Sequence, residues 1–343
     1  MASAVGVVVT SVYARHWPSY SFAEWELLFI LFALFVSVNG LRSSGAISKI
    51  SQRIDRGRAI PFKLVVTTFF FSMLVTNDVA LVVMVPLTLA LNLDRKDLLV
   101  IAEALAANAG SALTPFGNPQ NLFIYWFYGL GLGPFLATIV PFAAVFLILL
   151  VVASLFIKAR PVAECPGVSQ QVGRLAYVYG ILIILVLLTV LHVLPVGTVL
   201  LVFLFAVIFD RQALRVDYAL LFSFLFFFGL ADNLQVVLAA RVTHSEHVFL
   251  FSALASQVMS NVPATLLFAK FTTNWQALLW GVNVGGFGSL FGSLANLIAY
   301  KIYVTHEDVE HSETFAARFT AKFLIAGYLA FFIGIGLYFV VRR

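Results

Sequence analysis

Charged residues are scarce in this chain. Asp, Glu, Lys and Arg make up 11% of the 343 residues, whereas soluble domains carry about 25%. This shortage excludes an ordinary soluble protein, because 62% of the residues are hydrophobic and apolar runs recur along nearly the whole length. Many runs approach the roughly 20 residues that an α-helix needs to cross a bilayer. We therefore predict an all-α polytopic membrane protein in the inner (plasma) membrane, in contact with lipid.

Several residue types and motifs are also missing. A single cysteine, Cys165, excludes an intrachain disulfide and a cysteine-based metal cluster. There is no Gly-Lys dipeptide, so we expect no P-loop and no use of ATP by this chain. The stretch from His306 to His311 is one residue too long for the zinc-protease motif His-Glu-x-x-His. We predict that the protein is not an enzyme and needs no cofactor. The net charge of +5 does not indicate nucleic acid, because basic residues cluster in short loops that set membrane orientation.

Polar residues interrupt two of the apolar runs. Thr76-Asn77-Asp78 lies inside the run 61–93, and Ser260-Asn261 lies inside the run 248–271. Polar groups at membrane depth are costly and usually functional. Basic residues flank 61–93 at both ends, and its two arms are short for full crossings. We therefore predict re-entrant helical hairpins at 61–93 and 248–271, with the polar residues at their tips.

Two further segments are broken by glycine and proline. The segment 98–128 is interrupted around Gly117 and Pro119, and the segment 275–304 is interrupted by glycines. Residues 108–122 align without gaps to residues 283–297, which indicates an internal repeat. Asn108 falls on Asn283, Gly110 on Gly285, Gly117 on Gly292, and Asn121 on Asn296 in this alignment.

The repeat and the loop charges together predict the domain organisation. We expect two inverted repeats, 1–160 and 175–343, joined by a cytoplasmic linker at 161–174. The predicted architecture has about eight transmembrane helices plus the two re-entrant hairpins and the two broken helices. Paired broken segments in inverted repeats are the best sequence indication of a secondary transporter's site.

At these residues the chain resembles the ion transporter superfamily. The resemblance lies in Thr76-Asn77-Asp78, in Met84-Val85-Pro86-Leu87, in the stretch from Leu113 to Asn121 and in Ser260-Asn261-Val262-Pro263, and it covers roughly residues 20–343. The superfamily includes citrate-transporter-like permeases, divalent-anion:sodium symporters, arsenite exporters and some sodium/proton antiporters. It implies two inverted repeats, each with a re-entrant hairpin and a broken helix, often in a homodimer with a moving transport unit.

The resemblance is weaker for the substrate. Sodium/dicarboxylate members carry Ser-Asn-Thr at both hairpin tips, where Asn and Thr hold substrate carboxylates. Here Asp78 and Val262 replace the threonines, which argues against dicarboxylate binding. The Asn-Asp pair of the first tip is more like the arsenite-exporter and melanosomal transporter branches.

The residue chemistry favours a small anion. Asparagine amides offer two donors and an acceptor, and the half-helices that begin near Asn118 and Ser293 point a positive dipole end at a ligand. The predicted substrate-binding residues are Thr76, Asn77, Asn118, Asn121, Ser260, Asn261 and Asn296. The predicted coupling residues are Asp78, Gly117, Asn118, Gly292 and Ser293. If Na⁺ is the coupling ion, its site is expected near Thr76, Asn77, Gly117, Ser260, Asn261 and Gly292, where unwound carbonyls could coordinate it.

Asp78 leaves three interpretations open. An ionised Asp78 would repel an anion, and no Lys or Arg lies near the predicted midplane. Burial disfavours the charged carboxylate, so one hypothesis makes Asp78 the proton carrier. The opposite hypothesis has Asp78 bind a cation such as Na⁺. A structural interpretation makes it a cap on a helix N-terminus.

We predict a secondary active transporter of a small anion resembling citrate, a dicarboxylate or sulfate. Coupling to H⁺ or Na⁺ would drive alternating access to a site between the hairpin tips. The alternatives are a sodium/proton antiporter or an arsenite exporter of the same superfamily and, remotely, an ion channel.

Three charged residues within the apolar segments receive structural interpretations. Glu103 is expected to snorkel or to be hydrogen-bonded near a cytoplasmic end, and Asp232 to act as a cap or an interface group. Lys270 is expected to extend its amine to the lipid headgroups.

Overall fold

The computed structural model describes residues 2–44, 59–91, 93, 95–157, 173–238, 247–306 and 313–342. In these ranges the chain forms fifteen α-helices and three short 3-10 turns, at Val196–Val199, Arg211–Leu214 and Leu290–Gly292. The helices of the first half are α1 (Ala2–Ala14), α2 (Phe22–Ser43), α3 (Ile60–Val75), α4 (Asn77–Ala90), α5 (Lys96–Ser111), α6 (Pro119–Phe127) and α7 (Leu132–Phe156). Those of the second half are α8 (Leu175–Val190), α9 (Leu200–Phe209), α10 (Tyr218–Leu238), α11 (Val248–Met259), α12 (Asn261–Ala269), α13 (Trp275–Gly285), α14 (Leu294–Val304) and α15 (Glu313–Val341).

The prediction of an all-α polytopic membrane protein is confirmed. Within the described ranges, α2, α7 and α15 are each long and apolar enough to cross a membrane alone. The outer face of α7 exposes large apolar side chains such as Ile148, Leu155 and Phe156, as lipid contact requires. The broken segments divide into α5 with α6 and α13 with α14, whose halves are too short to cross singly. The number of about eight crossings stays a prediction.

The domain boundaries and the inverted orientation of the halves also stay predictions. Residues 161–172 of the predicted linker and the basic loop 45–58 lie outside the described residues. The opening segment forms α1, which packs against α10. There Asn233 donates hydrogen bonds to Ser11 Oγ at 2.8 Å and Thr10 Oγ1 at 3.1 Å.

Each segment predicted to be a hairpin consists of two helices that pack against each other. Helices α3 and α4 meet at Thr76, and α11 and α12 meet at Ser260. The two tip residues share one unusual conformation, with φ +82° and ψ 151° at Thr76 and φ +72° and ψ 155° at Ser260. Only glycine adopts this region easily, and other residues lose about 1–3 kcal/mol each there. The chain therefore maintains two strained reversals, one in each half. Their insertion into the membrane as re-entrant elements stays a prediction.

The two halves repeat the contact between hairpin and broken helix. Helix α3 packs on α5, and α11 packs on α13. In the first half Thr114 Oγ1 donates to the Met73 carbonyl at 2.8 Å, and in the second Ser289 Oγ donates to the Gln257 carbonyl at 2.9 Å. Each accepting carbonyl lies three residues before its hairpin tip, so the break of each broken helix is tied to the tip beside it.

Two glycines permit this close packing. A Cβ atom on Gly110 would lie 2.1 Å from the Phe69 carbonyl oxygen, and one on Gly285 would lie 2.5 Å from Ser256 Cβ and 3.0 Å from the Ala253 carbonyl oxygen. Gly110 and Gly285 occupy equivalent positions in the internal alignment. The close approach of α5 to α3 is therefore repeated between α13 and α11.

Alanine at Gly110 or Gly285 should destabilise the protein, because the methyl group has no room. Overpacking of a tight core costs about 1–3 kcal/mol. Thermal unfolding of the purified protein in detergent should show a lower midpoint for both variants. Gly180→Ala is the matched control, since no atom lies within 4 Å of its added Cβ; this variant should unfold at or above the wild-type temperature. Equal midpoints for Gly110→Ala and Gly180→Ala would contradict the predicted close contact.

Candidate functional site

Four helices begin at one cavity. The cavity of about 180 Å³ is lined by the first residues of α4, α6, α12 and α14. At roughly 30 Å³ each, it has room for about six water molecules. Helix α10 closes one side with Ser223, Phe224 and Phe227. The polar lining consists of Asn77, Asp78, Gln120, Ser223, Ser260, Asn261 and Ser293.

The four helix ends meet because the hairpin of each half also packs on the broken helix of the other half. Helix α4 of the first hairpin packs on α14 of the second half, and α12 of the second hairpin packs on α6 of the first. Each hairpin tip therefore lies beside the break of the opposite half as well as its own. The tips carrying Asn77 and Asn261, predicted to face each other, line the same cavity.

Four buried asparagines join the broken helices across the centre. Asn108 Nδ2 donates to Asn296 Oδ1 at 2.7 Å, and Asn283 Nδ2 donates to Asn121 Oδ1 at 2.8 Å. Asn108 aligns with Asn283 and Asn121 with Asn296, so the two hydrogen bonds are the same contact made twice. This reciprocal pairing is typical of a two-fold related interface. These two hydrogen bonds hold the first turns of the half-helices α6 and α14 in position.

The start of each half-helix is capped by its own side chain. Asn118 Oδ1 accepts from the Asn121 backbone N–H at 2.9 Å, and Ser293 Oγ accepts from the Ala295 N–H at 3.3 Å. Of these residues only Ser293 lines the cavity. Asn118, Asn121 and Asn296, which we predicted to bind substrate, lie in the supporting hydrogen-bond network around it.

The first hairpin tip is bonded to the break beside it. The Asn77 backbone N–H donates to the Gly117 carbonyl at 3.1 Å, and Asn77 Nδ2 donates to Asn108 Oδ1 at 3.1 Å. Asn77 Oδ1 accepts from the Asp78 N–H at 3.0 Å. At the second tip, Ser260 Oγ donates weakly to Asn261 Oδ1 at 3.4 Å. The side chain of Asn77 is therefore bonded to the broken helix beside it, whereas that of Asn261 is bonded within its own hairpin tip.

The carbonyls near Gly292 are already hydrogen-bonded. Gln257 Nε2 donates to the carbonyls of Gly285 at 2.8 Å and Phe287 at 3.1 Å, and Asn296 Nδ2 donates to that of Gly286 at 2.9 Å. Thr76, Gly117 and Gly292 do not line the cavity. A sodium site near them stays a prediction. Among the described residues, no three His, Cys, Asp or Glu side chains are grouped to hold a metal ion.

The charge at the cavity comes from the helix ends and from Asp78. Among the described residues that line it there is no Lys or Arg, and Asp78 is the one formally charged side chain. Each helix N-terminus carries the equivalent of about +0.5 charge. Four such ends directed at one cavity favour an anion, and Asp78, in the first turn of α4, is also favoured by the dipole of that helix.

Some central residues were missed from sequence. Asn108 and Asn283 were aligned with each other but not assigned to the site, although their match in the repeat was the signal that could have identified them. Gln120 and Ser223 also line the cavity. Ser223 lies on α10, far along the chain from both tips, and no local pattern indicated it.

The predicted headgroup contact of Lys270 is wrong. The Lys270 amine lies 3.1 Å from Glu24 Oε1 and 3.5 Å from Asp232 Oδ1, with its side chain only 10% exposed. Asp232 also accepts from the Ser19 N–H at 2.9 Å. Burial raises the pKa of the Tyr20 hydroxyl, and the Glu24 and Asp232 carboxylates raise it further. The amine stays inside because two carboxylates replace its water.

A double-mutant cycle measures the coupling free energy within each reciprocal asparagine pair. Asn108→Ala and Asn296→Ala should each lower the free energy of unfolding, and the double variant should lose less than their sum. We expect a coupling of about 1 kcal/mol, since residues in direct contact couple by roughly 0.5–3 kcal/mol. The pair Asn283→Ala and Asn121→Ala should couple equally. Asn108→Ala with Asn39→Ala is the control, because Asn39 bonds only to carbonyls of residues 212–215. Additive losses in the two contact pairs would contradict the reciprocal arrangement.

A polar cavity between paired helix ends in a helical membrane chain is typical of a polytopic membrane transporter. The family model described as citrate transporter matches residues 1–285. The chain belongs to this citrate transporter family.

Relatives over most of the chain are named as membrane proteins or transporters. The chain is 36% identical to inner membrane protein YbiR of Escherichia coli, over 84% of this chain and 82% of the relative. It is 35% identical to an uncharacterized transporter of Methanocaldococcus jannaschii, over 82% of each. A shorter match, 34% identical over 36% of this chain and 27% of the relative, is to a silicon efflux transporter of Oryza sativa subsp. japonica. The predicted superfamily and the multi-pass membrane location are confirmed.

Proposed function

We propose that the protein is a secondary active transporter of a small anion, which binds in the cavity between the two hairpin tips. The observation that carries this proposal is the convergence of four helix N-termini on one cavity. The dipoles of these helices favour an anion without any cationic side chain. The amides of Asn77 and Asn261 supply donors that orient it.

The size of the cavity limits the substrate. About 180 Å³ holds an inorganic oxyanion or a small carboxylate, with little space for more. The description of the family favours citrate or a similar carboxylate. The reciprocal contacts between the halves support alternating access, because two equivalent arrangements of one site can be reached by exchanging the roles of the halves. Coupling to H⁺ or Na⁺ would make the transport active.

A second candidate is the export of a weak oxyacid such as arsenite or silicate. The absence of Lys and Arg among the described lining residues, together with Asp78 at the cavity, suits a neutral or weakly charged solute better than a multivalent anion. The similarity to the silicon efflux transporter also favours this candidate.

Reconstituted vesicles test the proposal. Purified protein in liposomes should take up labelled citrate or sulfate when an acid-outside pH gradient or an inward Na⁺ gradient is imposed, and protein-free liposomes should not. Uptake of arsenite or silicic acid without citrate or sulfate uptake would favour the second candidate. A Na⁺-driven pH change without any solute uptake would contradict both and indicate an antiporter. A solute that only equilibrates across the membrane, and never accumulates against its own concentration gradient, would indicate a channel.

A further inference from the structure

A second carboxyl group lies inside the protein, away from the cavity. Glu103 of α5 is fully buried, and its Oε1 accepts a hydrogen bond from Thr88 Oγ1 of α4 at 2.6 Å. Its other oxygen, Oε2, is also buried and has no hydrogen-bond partner among the residues that the structure describes. A buried polar atom without a hydrogen-bond partner requires an explanation, such as a bound water or ion or a catalytic role.

An ionised carboxylate is poorly accommodated there. Burying a charge with one hydrogen bond and no counter-ion costs several kcal/mol. Addition of a proton removes the charge and keeps the bond from Thr88. The neutral acid is therefore the form that the surroundings of Glu103 accept.

The charged and titratable groups of the helices packed on α5 leave Glu103 without an ion-pair partner. Lys96 donates to the Leu89 carbonyl, and Asp97 pairs with Lys322 of α15. Lys301 of α14 is exposed, and α7 has no charged residue. Asp78, ten residues before Thr88 on α4, lies about 15 Å away along that helix. None of the remaining charged or titratable groups on these helices, and not Arg342 just beyond α15, is hydrogen-bonded or ion-paired to Glu103. The groups on the helices are Lys63, Tyr300, Tyr303, Glu313, Arg318, Tyr328 and Tyr338.

The position of Glu103 suits a proton that moves with the substrate. Along α5 it lies about 10 Å from Lys96, where the helix begins, and about 7.5 Å from Asn108 of the central network. It lies on the broken helix where α5 contacts α4, the helix that begins at the first hairpin tip. A change in the packing of α4 on α5 would therefore alter both the hydrogen bond from Thr88 and the access of water to Oε2.

We propose that Glu103 is a proton-binding site that couples anion transport to proton movement. This proposal rests on the proposed function. The acid takes up a proton from water on the side where the anion enters, and it holds this proton while Thr88 and the surrounding helices exclude water. It releases the proton to water on the other side when the packing of α4 on α5 opens there. The proton then crosses together with the anion.

Infrared spectroscopy tests the protonation without transport. The wild-type protein at neutral pH should show the carbonyl stretching band of a buried carboxylic acid, and Glu103→Gln should lack it. Thr88→Val should shift the band, because the hydrogen bond to Oε1 is removed, and this variant also serves if Glu103→Gln does not fold. A wild-type spectrum whose acid bands are all unchanged in both variants would overturn the proposal.

Transport assays test the coupling. Each proton carried allows about a tenfold accumulation of substrate per pH unit of gradient. Glu103→Gln should keep exchange of labelled for unlabelled anion at equal pH but lose acid-driven accumulation, so that its accumulation ratio falls from about tenfold to about one. A variant that accumulates like wild type, or that loses exchange and accumulation together, would overturn the coupling role. Absence of any anion exchange by wild type would contradict the proposed function instead, and the infrared band would still decide the protonation of Glu103.

Discussion

Asn261→Ala should weaken anion binding by about 10- to 100-fold. Asn261 begins α12 at the cavity, and its Nδ2 donates to none of the described residues, since the hydrogen bond of its side chain is the one that Oδ1 accepts from Ser260. The amide is therefore more available to a ligand than that of Asn77, which donates to Asn108. A hydrogen bond to a charged group contributes about 1.5–3 kcal/mol, which corresponds to roughly that factor in affinity. Uptake by reconstituted vesicles at low substrate concentration should fall by the same factor.

A matched variant separates binding from folding. Asn274 caps α13 by accepting from the Ala277 N–H at 3.1 Å and does not line the cavity. Asn274→Ala should lose about 1 kcal/mol of stability and keep the wild-type affinity. Thermal-shift titrations with citrate and sulfate give both quantities from one experiment. Unchanged affinity in Asn261→Ala, or an equal loss in Asn274→Ala, would show that the substrate does not bind at the second tip.

The hairpin helices and the breaks could be predicted because their causes are local. Thr76, Asn77 and Asp78 interrupt an apolar run, and the structure reverses at Thr76, within this predicted turn. The two helices span 60–90 against the predicted 61–93. The same holds at Ser260 and around Gly117. A polar residue in an apolar run and a glycine or proline in a helix each have one dominant physical effect.

The partners within the site could not be predicted, because they come from distant segments. Asn108 lies in an alanine-rich helix, and its role depends on Asn296, 188 residues later. For Glu103 the hydrogen-bonded alternative matches the structure, but its complete burial against Thr88 was not expected. For Lys270 the usual behaviour of a lysine near a helix end led to the wrong prediction, since neither Glu24 nor Asp232 is near it in sequence.

Lys270→Met should be the most destabilising substitution considered, by about 3–5 kcal/mol, because it leaves two carboxylates buried without their cation. The side chains of Glu24 and Asp232 are 4% and 14% exposed, so water can replace the amine only in part. The loss should appear as a large drop in the thermal unfolding midpoint. Lys301→Met is the control, since Lys301 is exposed on α14.

The cost comes from the unpaired carboxylates, so neutralising them should restore stability. Glu24→Gln keeps an oxygen that can accept from the Ser21 N–H, which bonds to Glu24 Oε2 at 2.8 Å in the capping box of α2. Adding Glu24→Gln and Asp232→Asn to Lys270→Met should therefore recover most of the loss. Glu24, Asp232 and Lys270 join α2 and α10 to the C-terminal end of α12. The same series should therefore show whether the stability of the second hairpin depends on these ion pairs. An equal loss in Lys301→Met, or no recovery in the triple variant, would mean that the charges around Lys270 do not hold these helices together.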